Sequence, residues 1–327
     1  MRCTSRSLAK LISITVVFCL ILCGCNNNSL VVPFDYNSSE NAYSINSGVD
    51  TKAVTELFAR DICITDNNFG HIQVAIDEAE AGGLFDVTDA TTLYAKNVHE
   101  RMNPASLTKV MTAYIALKYG HLEDSLTASS NVVITESGAQ LLGLKEGCHM
   151  NLEQALYALM LYSANDAAVM IAEYLSGSVE SFAAVMNDEA KKLGATNTHF
   201  TNPHGLTNDE HYTTAYDLYL IFNAAMQYET FRKIINTSQY TVVYRNANGD
   251  TVEKDVSNTN SYLNGEIEAP NNVGIIGGKT GTTKAAGSCL ILLSNSSAGH
   301  TYVSVILHST DHSTLYNNMN SVLSDIP

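Results

Sequence analysis

Asn103-Pro-Ala-Ser-Leu-Thr-Lys-Val-Met-Thr112, followed by Ala113, Ile115, Ala116 and Leu117, is the stretch around which the chain is arranged. Pro104 suits a first helical position, because its missing N–H would find no partner there. The run behind it is apolar on nearly every side, which predicts a largely buried helix over 104–117. Side chains three apart share a helix face, so Ser106 and Lys109 meet. Ser106 falls in the first turn, where unpaired N–H groups concentrate positive potential. Lys109, one turn further, is desolvated and still close to that positive end. Both effects disfavour the ammonium and move its pKa below the ordinary ~10.4. A hydroxyl beside a neutral amine is a nucleophile with its base attached. Ser-x-x-Lys is nevertheless a cheap pattern, since Ser7-Leu-Ala-Lys10 matches it too.

Two further stretches add weight. Ser163-Ala-Asn165 lies between helices predicted over 152–162 and 167–175, where short polar residues could simply be caps. Gly277-Gly-Lys-Thr-Gly-Thr-Thr283 closes a predicted strand over 273–280. It is no phosphate loop, because no Gly stands at the required distance before Lys279.

In the order Ser-x-x-Lys, Ser-x-Asn, Lys-Thr-Gly, these form the signature set of penicillin-recognising serine enzymes. The flanking words narrow the match: Tyr157-Ala-Leu-Met-Leu-Tyr-Ser-Ala-Asn-Asp-Ala-Ala168, Thr198-His-Phe-Thr-Asn-Pro-His-Gly-Leu206 and Lys279-Thr-Gly-Thr282. From about residue 70 to 320 the chain resembles the low-molecular-weight D-alanyl-D-alanine carboxypeptidases, the S11 serine peptidases. The resemblance implies that Ser106 attacks the carbonyl between two D-alanines with Lys109 as base. Ser163 would relay a proton to the departing D-alanine, positioned by Lys109 and Lys279. Asn165 would bond the substrate's peptide carbonyl, and Lys279 and Thr280 would hold its carboxylate side. Backbone N–H groups of Ser106 and Thr282 would form the oxyanion hole. Asn202-Pro-His-Gly205, with His204, reads as structural, shaping the loop beneath the site.

The chain departs from the family pattern in three places. The sequence ends at Pro327, so the expected architecture has no C-terminal β domain. Many relatives carry an Arg near the start of the last helix that reaches the substrate carboxylate; here no Lys or Arg follows Lys284, leaving His308 and His312. Ser-Ala-Asn also stands where Ser-Gly-Asn is commoner. The missing Arg makes a peptidoglycan DD-endopeptidase the first alternative. A class A β-lactamase would need a Glu-bearing loop after the second motif, and residues 195–208 contain no Glu. An inert penicillin-binding scaffold would have no need of all six motif side chains.

The expected fold is α/β (α+β) of the DD-peptidase/β-lactamase type. Strands at 81–95, 273–280, 288–294 and 301–308, with another over 71–79, flank a block of helices. This predicts one mostly antiparallel sheet built from both ends of the chain, with an inserted all-α lobe. Helices are also expected at 51–61 (as a helix or lead-in), 179–193, 214–227 and 313–323. A hairpin is expected at 240–256 about Asn248-Gly249.

Arg2, Arg6 and Lys10 precede an apolar run over 11–23, too short to span a bilayer and shaped like a secretory leader. Leu22-Cys-Gly-Cys25 resembles a lipoprotein box with Cys25 as the lipid-bearing residue, Cys23 being the alternative. Residues 1–24 are thus expected to be a signal peptide, 25–55 a polar tether and 56–327 the catalytic domain, held at the outer face of the cytoplasmic membrane. The formal net charge is −15 and the leader carries only basic residues, so the exported chain is more acidic still. That balance argues against nucleic acid and anionic lipid surfaces as partners. Cys63, Cys148 and Cys289 are too few and too widely spaced for a disulfide framework or a metal site. No metal or organic cofactor is expected; the partners are a stem peptide ending in D-Ala-D-Ala, β-lactams and, through lipid, the membrane.

Overall fold

Alternating apolar positions in the last two long strands set the layers of the molecule. A computed structural model describes residues 61–70, 74 and 76–327. The leader, the tether, Cys25, all but the last residue of the 51–61 helix and much of the 71–79 strand lie outside the described residues. Strand β1 (Ala79–Asp86) turns back into β2 (Thr91–Lys96). Three C-terminal strands, β7 (Val273–Thr283), β8 (Gly287–Ser296) and β9 (Thr301–Ser309), complete a five-stranded sheet in the order β2-β1-β9-β8-β7. Every neighbour is antiparallel. The sheet from both chain ends is therefore present as expected, with β7 and its Lys279 at an edge.

Because side chains alternate along a strand, each central strand serves two cores. Leu290, Leu292 and Ile306 face the last helix, α7 (His312–Leu323), and meet its Leu315, Tyr316 and Met319. Ile291, Leu293, Val303, Val305 and Leu307 face the main core. Strands buried on both faces read as continuous apolar runs, which is how Leu290–Leu293 appears in sequence.

The main core holds α1 (Thr108–Tyr119), whose first nine residues are all buried. Around it lie α2 (Leu152–Met160), α3 (Asn165–Ser176), α4 (Val179–Lys192), α5 (Ala215–Ala225) and α6 (Glu229–Asn236). Helix α6 falls between the helix expected to end at 227 and the hairpin expected from 240, a stretch to which the sequence assigns no element.

The lobe is not all-α. It carries a second antiparallel sheet, β3 (Ser125–Thr127), β4 (His149–Asn151), β5 (Gln239–Arg245) and β6 (Thr251–Ser257), in that order. β3 and β4 have three residues each, below the length at which alternation is readable. The hairpin β5–β6 was expected, but not its pairing with them. It is fixed on α2: Tyr157 and Tyr240 stack with ring centroids 3.7 Å apart, and Gln154 both donates to Tyr240 Oη (2.7 Å) and accepts from the Val243 N–H (2.8 Å).

Candidate active site

The helix expected from Pro104 begins differently. Residues Ala105–Leu107 form a 3₁₀ turn that leads into α1 at Thr108. Ala105 has φ +47°, a left-handed conformation that costs a residue with a Cβ of order 1–3 kcal/mol. This kink presents Ser106, half-buried, while Lys109 is fully buried one turn on.

Lys109 Nζ lies 2.9 Å from Ser106 Oγ, 2.7 Å from Asn165 Oδ1 and 2.6 Å from the His204 carbonyl oxygen. These three polar partners satisfy the fully buried amine. Desolvation, with a smaller push from nearby Lys279, holds its pKa well below the ordinary lysine range; Asp166 opposes this weakly. A neutral Lys109 carries a lone pair, which allows it to take the Ser106 proton.

Asn165 is the first residue of α3, two residues earlier than the sequence suggested. Its N–H donates to the Gln140 carbonyl (2.8 Å), and next to it Asp166 accepts from the N–H groups of Leu142, Gly143 and Leu144 at 2.8–2.9 Å. The 140–144 loop is thus pinned to the start of α3. Ser163, 7 % exposed, has φ +61°. Ser163 and Ala105 place two of the strained non-glycine backbones at the second and first motifs, as functional sites often do.

From the opposite side, β7 supplies Lys279, 1 % exposed, with its amine 2.8 Å from the Thr280 carbonyl oxygen. Burial pushes Lys279 down to about 7. Thr280 Oγ1 meets Thr259 Oγ1 at 2.5 Å, tying β7 to the loop that follows β6. Gly281 lies against the nucleophile turn; a Cβ there would stand 2.9 Å from the Ser106 backbone nitrogen. Thr282, next along β7, is exposed. The three motifs, dispersed over 177 positions of sequence from Ser106 to Thr282 when counted inclusively, therefore meet: Lys109 bonds Ser106 and Asn165, and Gly281 packs against the Ser106 turn.

The Asn202-Pro-His-Gly205 loop lies beneath Lys109, as expected of a structural element. Asn202 Oδ1 accepts from the N–H groups of His204 (3.2 Å) and Gly205 (2.7 Å), while the Pro203 carbonyl accepts from Thr112 Oγ1 (2.7 Å). Burial, with Lys109 and His211 nearby, lowers His204 to about 3, and its Nδ1 accepts from the Leu206 N–H (3.1 Å). What it gives the site is a backbone carbonyl. His308 pairs with Glu80 (3.2 Å), and the exposed His312 meets Ser261 Oγ (3.2 Å). The sequence assigns Asp166 no more than a possible helix cap, and gives Thr259, Thr108 and His211 no role. Only Asp166 left a signal, as an acidic residue in a helix's first turn.

A family model described as D-alanyl-D-alanine carboxypeptidase matches residues 71–311. The D-alanyl-D-alanine carboxypeptidase DacF of Bacillus subtilis is 37% identical over 163 residues, which cover 49% of this chain and 42% of that protein. A D-alanyl-D-alanine carboxypeptidase of Streptomyces sp. strain K15 is 35% identical over 232 residues, covering 67% of this chain and 77% of its own. The crystal structure of the Streptomyces K15 DD-transpeptidase superposes with a TM-score of 0.70 at 28% identity, covering 80% of this chain and 98% of that one.

Proposed function

The chain belongs to the D-alanyl-D-alanine carboxypeptidase family of S11 serine peptidases, and on that premise we propose that it removes the terminal D-alanine from peptidoglycan stem peptides through an acyl-enzyme at Ser106. The observation that carries this reading is the 2.9 Å contact between Ser106 Oγ and a desolvated Lys109 amine. Lys109 takes the hydroxyl proton as Oγ attacks the carbonyl between the two D-alanines. The N–H groups of Ser106 and Thr282 receive the oxyanion. Ser163 passes a proton to the leaving amine, so that D-alanine departs and an ester remains on Ser106. Water, deprotonated through Lys109, then hydrolyses the ester. Asn165 holds the substrate's peptide carbonyl, and Lys279 with Thr280 holds its carboxylate. β-Lactams would acylate the same serine.

The reaction belongs outside the cytoplasm. The leader over residues 1–24 and the box ending at Cys25 support an exported chain tethered by lipid. No single helix among the described residues is long and apolar enough to cross a membrane.

Residues 26–327 with a diacyl-D-Ala-D-Ala peptide are expected to release D-alanine, and Ser106→Ala to abolish release. Penicillin labelling of Ser106 without release would favour the endopeptidase reading. Absence of both would leave a scaffold. A second reading, transfer of the acyl group to an amine, is suggested by the similarity to the Streptomyces K15 DD-transpeptidase. Adding a glycine acceptor and finding its adduct in place of free acid would support it.

The two buried lysines also predict a pH profile. Lys109 is a base only while neutral, so acylation slows as pH falls and the amine gains its proton. Lys279, at about 7, is an ammonium below that pH and increasingly an amine above it. Affinity for a carboxylate-bearing substrate therefore weakens as pH rises past about 7. Acylation rate and affinity, separated in progress curves from about pH 5 to about pH 9, should bend in opposite directions. An affinity flat across that range would remove Lys279 from carboxylate binding.

A further inference from the structure

We propose that His211 is a positioning residue that acts through Thr108 to fix the Ala105–Ser106 peptide plane and so aim the Ser106 N–H at the substrate oxyanion. This rests on the reading of Ser106 as nucleophile and of its N–H as oxyanion donor.

His211 is 1 % exposed, among Asn103, Thr201 and Phe200. Burial, with smaller contributions from His199 and Lys109, lowers its pKa to about 4, so the ring is neutral at working pH. The Thr201 N–H donates to Nδ1 at 3.0 Å, which assigns the single ring proton to Nε2. Nε2 lies 2.8 Å from Thr108 Oγ1, and Thr108 Oγ1 lies 2.8 Å from the Ala105 carbonyl oxygen. The order of donation follows without ambiguity: Thr201 N–H to His211, His211 to Thr108, Thr108 to Ala105. Each donor polarises the next.

The Ala105 C=O and the Ser106 N–H belong to one planar peptide unit and point in opposite directions. Whatever holds the carbonyl aims the N–H. This plane needs holding, because Ala105 has φ +47° and no glycine-like freedom. Rotation of the plane would turn a carbonyl toward the position the oxyanion must occupy. Gly205 packs on the same carbonyl, where a Cβ would stand 1.8 Å from the oxygen. The carbonyl is thus confined by packing and drawn by two hydrogen bonds, from the Thr108 backbone N–H and from its hydroxyl, of which only the hydroxyl is under the control of His211, and the N–H is left beside β7 at Gly281.

The test is stopped-flow acylation by a fluorescent penicillin, which separates the first-order acylation constant from the initial dissociation constant. Thr108→Val and His211→Leu should each lower the acylation constant tenfold or more and leave the dissociation constant within about twofold. The double variant should be no slower than the slower single, because both cut the same relay. Thr108→Ser, which keeps the hydroxyl, should retain the rate. If His211→Leu does not fold, Thr108→Val against Thr108→Ser decides alone. Folded variants that acylate at the wild-type rate, or that change only the dissociation constant, overturn the proposal. A wild-type protein that penicillin does not acylate would overturn the reading of Ser106, and the proposal with it.

Discussion

Replacing Lys109 by methionine is expected to slow acylation of Ser106 by a β-lactam about 10³-fold while the protein remains folded. The variant removes the only amine within hydrogen-bond reach of Ser106 Oγ among the described residues. Methionine fills similar volume without placing a polar group in the site. The Asn165 Oδ1 and His204 carbonyl acceptors lose a donor, and the buried amine's desolvation is relieved at the same time. These oppose each other, so stability should change by no more than about 2 kcal/mol. Lys109→Arg sharpens the experiment, because a guanidinium keeps hydrogen-bond donors in the site but stays protonated at working pH and has no lone pair to offer. Equal loss in both variants identifies proton acceptance as the missing property. Labelling of Lys109→Met at near wild-type rate would place the base elsewhere and end the Ser106–Lys109 assignment.

Gly205→Ala should be among the most damaging small substitutions at the described residues. At φ +86° a Cβ is disfavoured, and here it would also stand 1.8 Å from the Ala105 carbonyl oxygen. Neither backbone has room to retreat, since Asn202 fixes the Gly205 N–H and Thr108 fixes the Ala105 carbonyl. We expect at least about 3 kcal/mol of destabilisation and loss of penicillin labelling in whatever fraction folds. Gly177→Ala provides the comparison. That residue, at the C-terminus of α3, has φ +78° and nothing within 4 Å of an added Cβ. It should lose only about 1 kcal/mol. Comparable melting temperatures for the two variants would show that the nucleophile turn yields easily, and would weaken the account of Ala105 as a held, strained residue.

The sequence by itself determined the long elements and the chemical groups. Ser106, Lys109, Ser163, Asn165, Lys279 and Thr280 were readable because acyl transfer needs those side chains in short local spacings. The five-stranded sheet was readable because β7, β8 and β9, nine to eleven residues long, each contain an apolar run, with turn residues between them. The small sheet was not, since β3 and β4 draw their stability from partners far away in sequence rather than from their own pattern. The left-handed backbones at Ala105 and Ser163 were also hidden. Alanine and serine carry no signal for positive φ, and only surrounding tertiary contacts hold them there. The service of Asp166, Thr259 and His211 to the site depended on the same thing. Each bonds to a residue that is distant in the chain, and a hydrogen bond between distant residues leaves no periodicity to read. Spacing along the chain picked out the candidate groups; long-range packing decided that Lys109 is fully buried beside Ser106, which lowers its pKa.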